Sequence, residues 1–298
     1  MTAATPPRPT NIRRGILWMV LASVLFASMN ASAKYLYKTY PIAEVVWARY
    51  FFHSVLVVLL LRHRIVAEMN TRKIGLQIAR SVLLFLTSAC FFAGLYFIPL
   101  AESSAIMFTA PILVTVLSVP ILGEHVGPRR WAGVVGGFLG CLIITRPGFG
   151  VLQMAAFLPV AAACCYAAYQ ILTRSISSSE GSMTTFAYAG LVGVIATSAA
   201  VPLFWITPDA TGWLLMAMVG LFGGTGHFLV IKGLAEAPAS IVSPFGYAIL
   251  IWVTLYGYFI FGDFPDPWTV VGALLIVASG LYIFHREHRV RKSNVPLA

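Results

Sequence analysis

The sequence predicts an all-α integral membrane protein with ten transmembrane helices, arranged as two inverted five-helix repeats. Three observations lead there. Only 10% of the 298 residues are charged and 59% are hydrophobic, whereas soluble domains carry about 25% charged residues. A mean hydropathy of +0.86 leaves too little polar surface to face water, so the solvent is lipid. Ten apolar runs, each near the ~20 residues that cross a hydrocarbon core, follow one another with short polar breaks. The chain also resembles itself at a shift of 139 residues.

The first run covers 15–34. It follows Arg13 and Arg14, and Ala31-Ser32-Ala33 resembles a signal-peptidase site. Its apolar length exceeds a signal core, so it reads as a retained span. The second covers 43–61 and the third 74–97. Only Ile98-Pro99 separates the third from the fourth, 100–122, which forces a tight antiparallel hairpin. The fifth, 130–146, carries Gly133, Gly136, Gly137 and Gly140 on one stripe, so it can approach a neighbour closely. The sixth covers 154–173 and the seventh 184–206. Thr207 to Ala210 turns at once into the eighth, 211–233. There Gly220, Gly223, Gly224 and Gly226 weaken helical propensity and mark a bend beside a central cavity or a hinge. The ninth covers 238–261 and the tenth 267–285. Pro111, Pro120, Pro202 and Pro244 fall inside spans and favour kinks. The first repeat is thus 15–146 and the second 154–285, with cytoplasmic tails at 1–14 and 286–298. The four cysteines, Cys90, Cys141, Cys164 and Cys165, lie inside apolar runs without ligand spacing and read as small core residues.

Net charge is +10 and the pI about 9.7. On a soluble chain such a balance suggests nucleic acid; here the basic residues cluster in loops and tails. With a cytoplasmic N-terminus, 16 of the 20 Lys and Arg fall inside, leaving Lys34, Lys38, Arg49 and Arg146 outside. That bias places both termini in the cytoplasm.

The shift of 139 lays Gly94-Leu95 on Gly233-Leu234, Pro99 on Pro238, Val114-Thr115 on Val253-Thr254 and Gly133 on Gly272. Without a gap, 13 of the 51 positions from 94 to 144 are identical. The pairing joins spans 4–5 to spans 9–10, so each unit holds five spans. Five is odd, so two copies in one chain cross in opposite senses. Inverted repeats characterise secondary transporters, with substrate held near midplane where the repeats meet.

One pattern occurs twice, as PILGEHVGPRRWAGVVGGFLG (120–140) and FIFGDFPDPWTVVGALLIVASG (259–280). A helix leads to Gly-Glu or Gly-Asp, a Pro-containing turn and a Gly-rich final helix. This resembles the EamA branch of the drug/metabolite transporter superfamily, over about 12–285. Within that branch the aromatic-rich sequence is similar to bacterial amino-acid and metabolite exporters of the YddG type. The resemblance implies a cavity lined by spans 1–4 and 6–9, with spans 5 and 10 at the periphery. The fold does not name the substrate.

Polar groups at membrane depth are costly and usually functional. Glu44, Asp209, Asp263 and Asp266 fall at outer ends, Glu102 opens span 4, and Glu68, Glu124, Glu180, Glu236 and Glu287 fall on the cytoplasmic side. No carboxylate sits near a helix centre, so proton coupling through one is not expected. For Arg80 and Lys232 the simpler reading is snorkelling to headgroups. Arg49 either snorkels or anchors a substrate carboxylate. Asn30 and Gln170 would hold a polar end of the substrate, and His53 and His227 either bridge helices or touch substrate. Trp47, Tyr50, Tyr96, Tyr166, Tyr169, Tyr247 and Trp252 lie deep enough to line an aromatic cavity. Trp205, Trp213, Trp268 and Tyr282 sit at span ends, as belt residues do.

No HExxH, GxSxG or pair of mid-helix aspartates occurs, which argues against an intramembrane enzyme. The sequence calls for no cofactor, metal or nucleic-acid partner. The expected function is export or facilitated passage of small metabolites by alternating access across the bacterial inner membrane. Amino acids, aromatic or apolar, are the expected substrates. Other metabolites or apolar drugs, with proton coupling through histidine, are the alternative, and a channel or receptor is a more distant one. Both repeats lie in one chain, so a monomer suffices.

Overall fold

The computed structural model describes residues 11–122, 128–145, 154–176, 180–236 and 243–293. Among them every regular element is helical. In chain order the α-helices are α1 (Ile12–Leu36), α2 (Ile42–Leu61), α3 (Ile65–Glu68), α4 (Ile74–Phe97), α5 (Leu100–Met107), α6 (Ala110–Leu122) and α7 (Pro128–Thr145). There follow α8 (Phe157–Ile176), α9 (Ser182–Ala189), α10 (Leu191–Ala200), α11 (Ala210–Glu236), α12 (Ile249–Tyr256) and α13 (Pro267–Ser293). Among the described residues six stretches are long and apolar enough to span a bilayer: Ile12–Leu36, Ile42–Leu61, Ile74–Phe97, Leu100–Ile121, Met183–Leu203 and Ala210–Val230. Four shorter apolar helices cover Trp131–Ile144, Phe157–Thr173, Phe245–Phe261 and Pro267–Tyr282. Glu124, Arg146 and Pro238 lie outside the described residues, as do residues 1–10 and 294–298 of the two expected tails.

Local chemistry sets the helix ends. The Asn11 side chain caps α1 by accepting from the Arg14 N–H at 3.1 Å. Ile98 and Pro99 adopt extended backbone between α4 and α5, giving the expected tight hairpin. The fourth span is broken where Pro111 follows α5. Proline has no N–H to give the Met107 carbonyl, and the chain tightens there. Phe108 donates to Ala105 and Thr109 to Ile106, both three residues back. The seventh span is broken at Gly190, a break the sequence did not announce. Ser81 of α4 fills it, its hydroxyl accepting from the Val192 N–H at 2.9 Å. The ninth span begins with a 3-10 turn over Ser243–Ala248. It ends in a π turn over Gly257–Phe261, closed by Gly262 at φ +72°, a left-handed conformation suited to glycine. The last helix continues to Ser293, so residues 286–293 are helical rather than a loose tail.

The glycines of the eighth span do not interrupt it: α11 is continuous over 27 residues. Their missing side chains admit neighbours instead. A Cβ on Gly224 would lie 2.7 Å from a Leu56 methyl, and one on Gly223 would lie 2.8 Å from the Met29 sulfur. Likewise Gly140 of α7 faces Gly272 of α13, where a Cβ would stand 2.8 Å from the Gly272 carbonyl oxygen. The glycine stripe therefore serves the α7–α13 contact.

Helix packing repeats itself when α1–α7 are exchanged for α8–α13. α1 packs most extensively on α11, and its mate is α4 on α8. α6 on α8 has its mate in α1 on α12; α2 on α11 has its mate in α4 against α9 and α10. The pairs α2–α10 and α7–α13 map onto themselves. The outer surface is apolar, with Leu59, Phe138, Leu214, Phe259 and Leu274 each more than half exposed, as a lipid-facing shell requires. All four cysteines are free; Cys141 is buried, but Cys164 is exposed on this shell rather than in the core.

Candidate functional site

Two connected hollows occupy the middle of the bundle, of ≈ 300 Å³ and ≈ 360 Å³. Each lies near the lower end of the volumes that hold small organic ligands. Their walls come from spans 1–4 and 6–9, and neither α7 nor α13 contributes a described lining residue. Arg49, Leu84, Tyr166, Gln170, His227 and Val230 line both, so the hollows are two lobes meeting at that ring.

Arg49 dominates the junction. It projects from α2, is 9% exposed, and its Nε has no hydrogen-bond partner. Its Nη1 points at the Met29 sulfur at 3.5 Å, a weak acceptor. The guanidinium carbon stands 5.5 Å from the Tyr50 ring centre and 5.4 Å from that of Phe92. No ion pair to Arg49 forms among the described residues. Removing such a charge from water costs several kcal/mol unless it is paired; two ring faces offset part of that.

The smaller lobe is the more polar. Tyr166 and Tyr169, one turn apart on α8, stack with centroids 5.8 Å apart and planes 16° apart. His53 packs on Phe186 at 5.1 Å, and its buried Nε2 has no partner. The Tyr50 hydroxyl is committed to the wall, bonding the Leu84 carbonyl at 3.0 Å and the Ser88 hydroxyl at 2.8 Å. In the larger lobe, Asn30 sits among Phe26, Phe91, Phe92 and Phe108. His227 meets Phe26 edge to face at 5.0 Å. No carboxylate is among the described residues that line either lobe.

Of the twelve residues the sequence singled out, the structure gathers eight around the cavity: Asn30, Arg49, Tyr50, His53, Tyr166, Tyr169, Gln170 and His227. The other four line neither lobe. Trp47 belongs to an aromatic cluster with Phe51, Trp205 and Trp213 at the end of the bundle where α2 begins, and its indole donates to Ser198 at 3.1 Å. Tyr96 is half exposed against Tyr37 and Phe97. Tyr247 packs on Phe108, and Trp252 donates to Ser23 at 3.1 Å, so both stand one layer behind the wall. Sequence reasoning missed the phenylalanines and methionines of the larger lobe, which looked like ordinary lipid-facing residues. It also missed Gly190; Gly220, Gly223 and Gly224, read from sequence as a bend beside the cavity or a hinge, do stand beside the cavity, where they form wall without interrupting their helix.

Arg80 departs from its expected snorkelling. It is 1% exposed, and each of its guanidinium nitrogens is bonded. Nε donates to Thr173 at 2.9 Å, Nη1 to Gln77 at 2.5 Å and Nη2 to the Tyr169 hydroxyl at 3.3 Å. Gln77 and Thr71 in turn donate to one Glu180 oxygen at 3.2 and 2.7 Å. Lys232, in contrast, is exposed, as snorkelling requires. At the far end of the bundle Lys34 donates to the Ile98 carbonyl at 2.8 Å and stands 3.7 Å from Asp263. Glu44, expected at an outer end, is fully enclosed there; one oxygen accepts from the Ile206 N–H at 3.1 Å and the other has no partner.

Comparison with known proteins gives a consistent picture. The model of the EamA-like transporter family matches residues 13–146 and again 153–284. The chain is 30% identical to a riboflavin transporter of Rhizobium johnstonii, covering 94% of each chain. It is 26% identical to an S-adenosylmethionine uptake transporter of Rickettsia prowazekii, covering 94% of this chain and 95% of the relative. It is also 26% identical to a pseudopaline exporter of Pseudomonas aeruginosa, covering 90% and 95%. A solved crystal structure superposes with a TM-score of 0.66 at 18% identity, covering 93% of this chain and 98% of the other, so the fold is shared.

Proposed function

The chain belongs to the EamA-like transporter family, a multi-pass membrane transporter of small molecules, and we propose that its substrate is an organic anion or zwitterion gripped by Arg49. The carrying observation is that Arg49 is buried at the junction of both lobes with its Nε unpartnered. A buried guanidinium left without an acid is stabilised when a ligand brings one, ideally through a two-pronged contact. Tyrosines and phenylalanines around it suit a flat or apolar remainder.

Amino acids and their derivatives fit this description. S-adenosylmethionine, named for the Rickettsia relatives, is itself an amino-acid derivative bearing an aromatic base. Transport runs by alternating access of two inverted five-span units, supported by the mated helix packing. Ten crossings in the bacterial inner membrane leave both termini in the cytoplasm, and one chain suffices. No carboxylate is among the described lining residues, which favours passage downhill or by exchange. His53 and His227 are the groups through which any proton coupling would run.

The test is flux into proteoliposomes loaded with the full chain, using labelled S-adenosylmethionine, phenylalanine, riboflavin and a neutral sugar. Saturable flux of a carboxylate-bearing solute, lost in Arg49→Gln and absent for the sugar, is expected. No flux of either carboxylate-bearing probe, or flux indifferent to Arg49→Gln, would sink the assignment and leave the family intact.

A further inference from the structure

Among the described polar side chains confined to the larger lobe, one has a presence that its surroundings do not explain. Asn30 lies in the C-terminal half of α1, is 4% exposed, and its Oδ1 is buried without a hydrogen-bond partner. Asparagine is a poor residue for a helix interior, and burying an amide unpaired is costly. The other polar side chains confined to this lobe are already engaged. Ser23 donates to the Val20 carbonyl at 2.7 Å and accepts from Trp252 at 3.1 Å. Thr87 donates to the Leu83 carbonyl at 2.7 Å, and Ser88 to that of Leu84 at 3.0 Å. Of the side chains confined to this lobe, Asn30 is therefore the one left free to read hydrogen bonds.

Its surroundings define what it reads. Phe26, Phe91, Phe92 and Phe108 supply ring faces and edges, and Met29 and Met107 supply polarizable sulfur. An asparagine amide sets an acceptor beside a donor. That pair is complementary to a heterocycle edge carrying an N–H next to a ring nitrogen or carbonyl. A phenyl ring would fill the same space and leave the amide unpaired, a penalty that discriminates strongly between two shapes of equal size.

We propose that the larger lobe is a subsite for a flat nitrogen heterocycle, held by its edge against the Asn30 amide and packed among the phenylalanine rings. The inference rests on reading this cavity as the substrate site, and it deepens that reading. The transported molecule then has two parts, an anionic group at Arg49 and a heteroaromatic ring beyond it.

Binding to the purified full chain tests the idea, with adenosine, riboflavin, S-adenosylmethionine and phenylalanine as probes. The variants are Asn30→Leu, of similar volume, and Asn30→Ser, which serves if the first fails to fold. Melting temperatures without ligand control for folding. At least one heterocyclic probe should bind the parent chain and weaken about tenfold or more in both variants. Phenylalanine should be unaffected or bind Asn30→Leu more tightly. The proposal is overturned if no heterocyclic probe binds, if the variants bind them normally, or if phenylalanine weakens equally. Arg49→Gln runs alongside. Heterocycle binding that needs Asn30, with no probe responding to Arg49→Gln, would retain the subsite and remove the anion anchor.

Discussion

Arg49 and Arg80 are both buried arginines on membrane helices, and their surroundings are opposite. Arg80 joins α4 to α8 through Thr173 and Tyr169, and Gln77 on its own helix carries the network on to the Glu180 carboxylate. Arg49 faces a cavity with two aromatic rings, a thioether and a nitrogen that bonds nothing. A charge removed from water needs a partner. Where the protein supplies it, the arginine holds the bundle together; where it does not, the position is open to a ligand. The contrast separates a structural cation from a working one.

The largest effect should come from attacking the satisfied arginine. Arg80→Leu strands Gln77, Thr173 and Tyr169 and should lower stability by about 3 kcal/mol, read by denaturant unfolding in detergent. Transport per folded molecule should fall far less. Arg49→Gln should invert that pattern. Affinity for a carboxylate-bearing substrate should drop about 100-fold, while the unfolding midpoint stays the same or rises. If both substitutions act mainly on stability, the distinction between the two arginines collapses.

Two smaller perturbations sharpen the comparison by leaving the cavity alone. Gly140→Val drives a side chain into the Gly272 backbone across the α7–α13 contact. It should cost about 2 kcal/mol of stability without changing substrate affinity, because neither helix contributes a described lining residue. Asp263→Asn removes an ion pair whose acidic partner is 42% exposed. Its stability cost should be under about 1 kcal/mol, measurable as a small shift in the same unfolding curves. A large loss there would mean that the Lys34 contact does more than a surface pair.

Much of this was legible before any coordinates. Low charge, long apolar runs and the doubled Gly-acid-turn pattern identify a helical membrane transporter with two related halves, and the family match over 13–146 and 153–284 agrees. The polar residues of the cavity were legible too, since Asn30, His53, Gln170 and His227 are conspicuous in apolar helices. The aromatic residues were not. Tyr166 and Tyr247 look alike in sequence, but Tyr166 faces the junction of the lobes while Tyr247 packs behind the wall on Phe108. One apolar helix surface meets lipid, another a cavity and a third a neighbour, and all three accept the same residues. Gly190 shows the same limit. Its helix break depends on the Ser81 hydroxyl more than a hundred residues earlier.

The sequence by itself determined the solvent and the helical class. Both follow from composition and from the absence of water to hydrogen-bond the backbone inside a bilayer, which are local facts. Tertiary structure alone decided which polar groups are spent. The partners that satisfy Arg80 lie on α8, 89 and 93 residues away, as well as on its own helix. The partner that would satisfy Arg49 does not come from the described chain. Pairing depends on which side chains meet across the bundle, and helix packing, rather than any periodicity, brings them together.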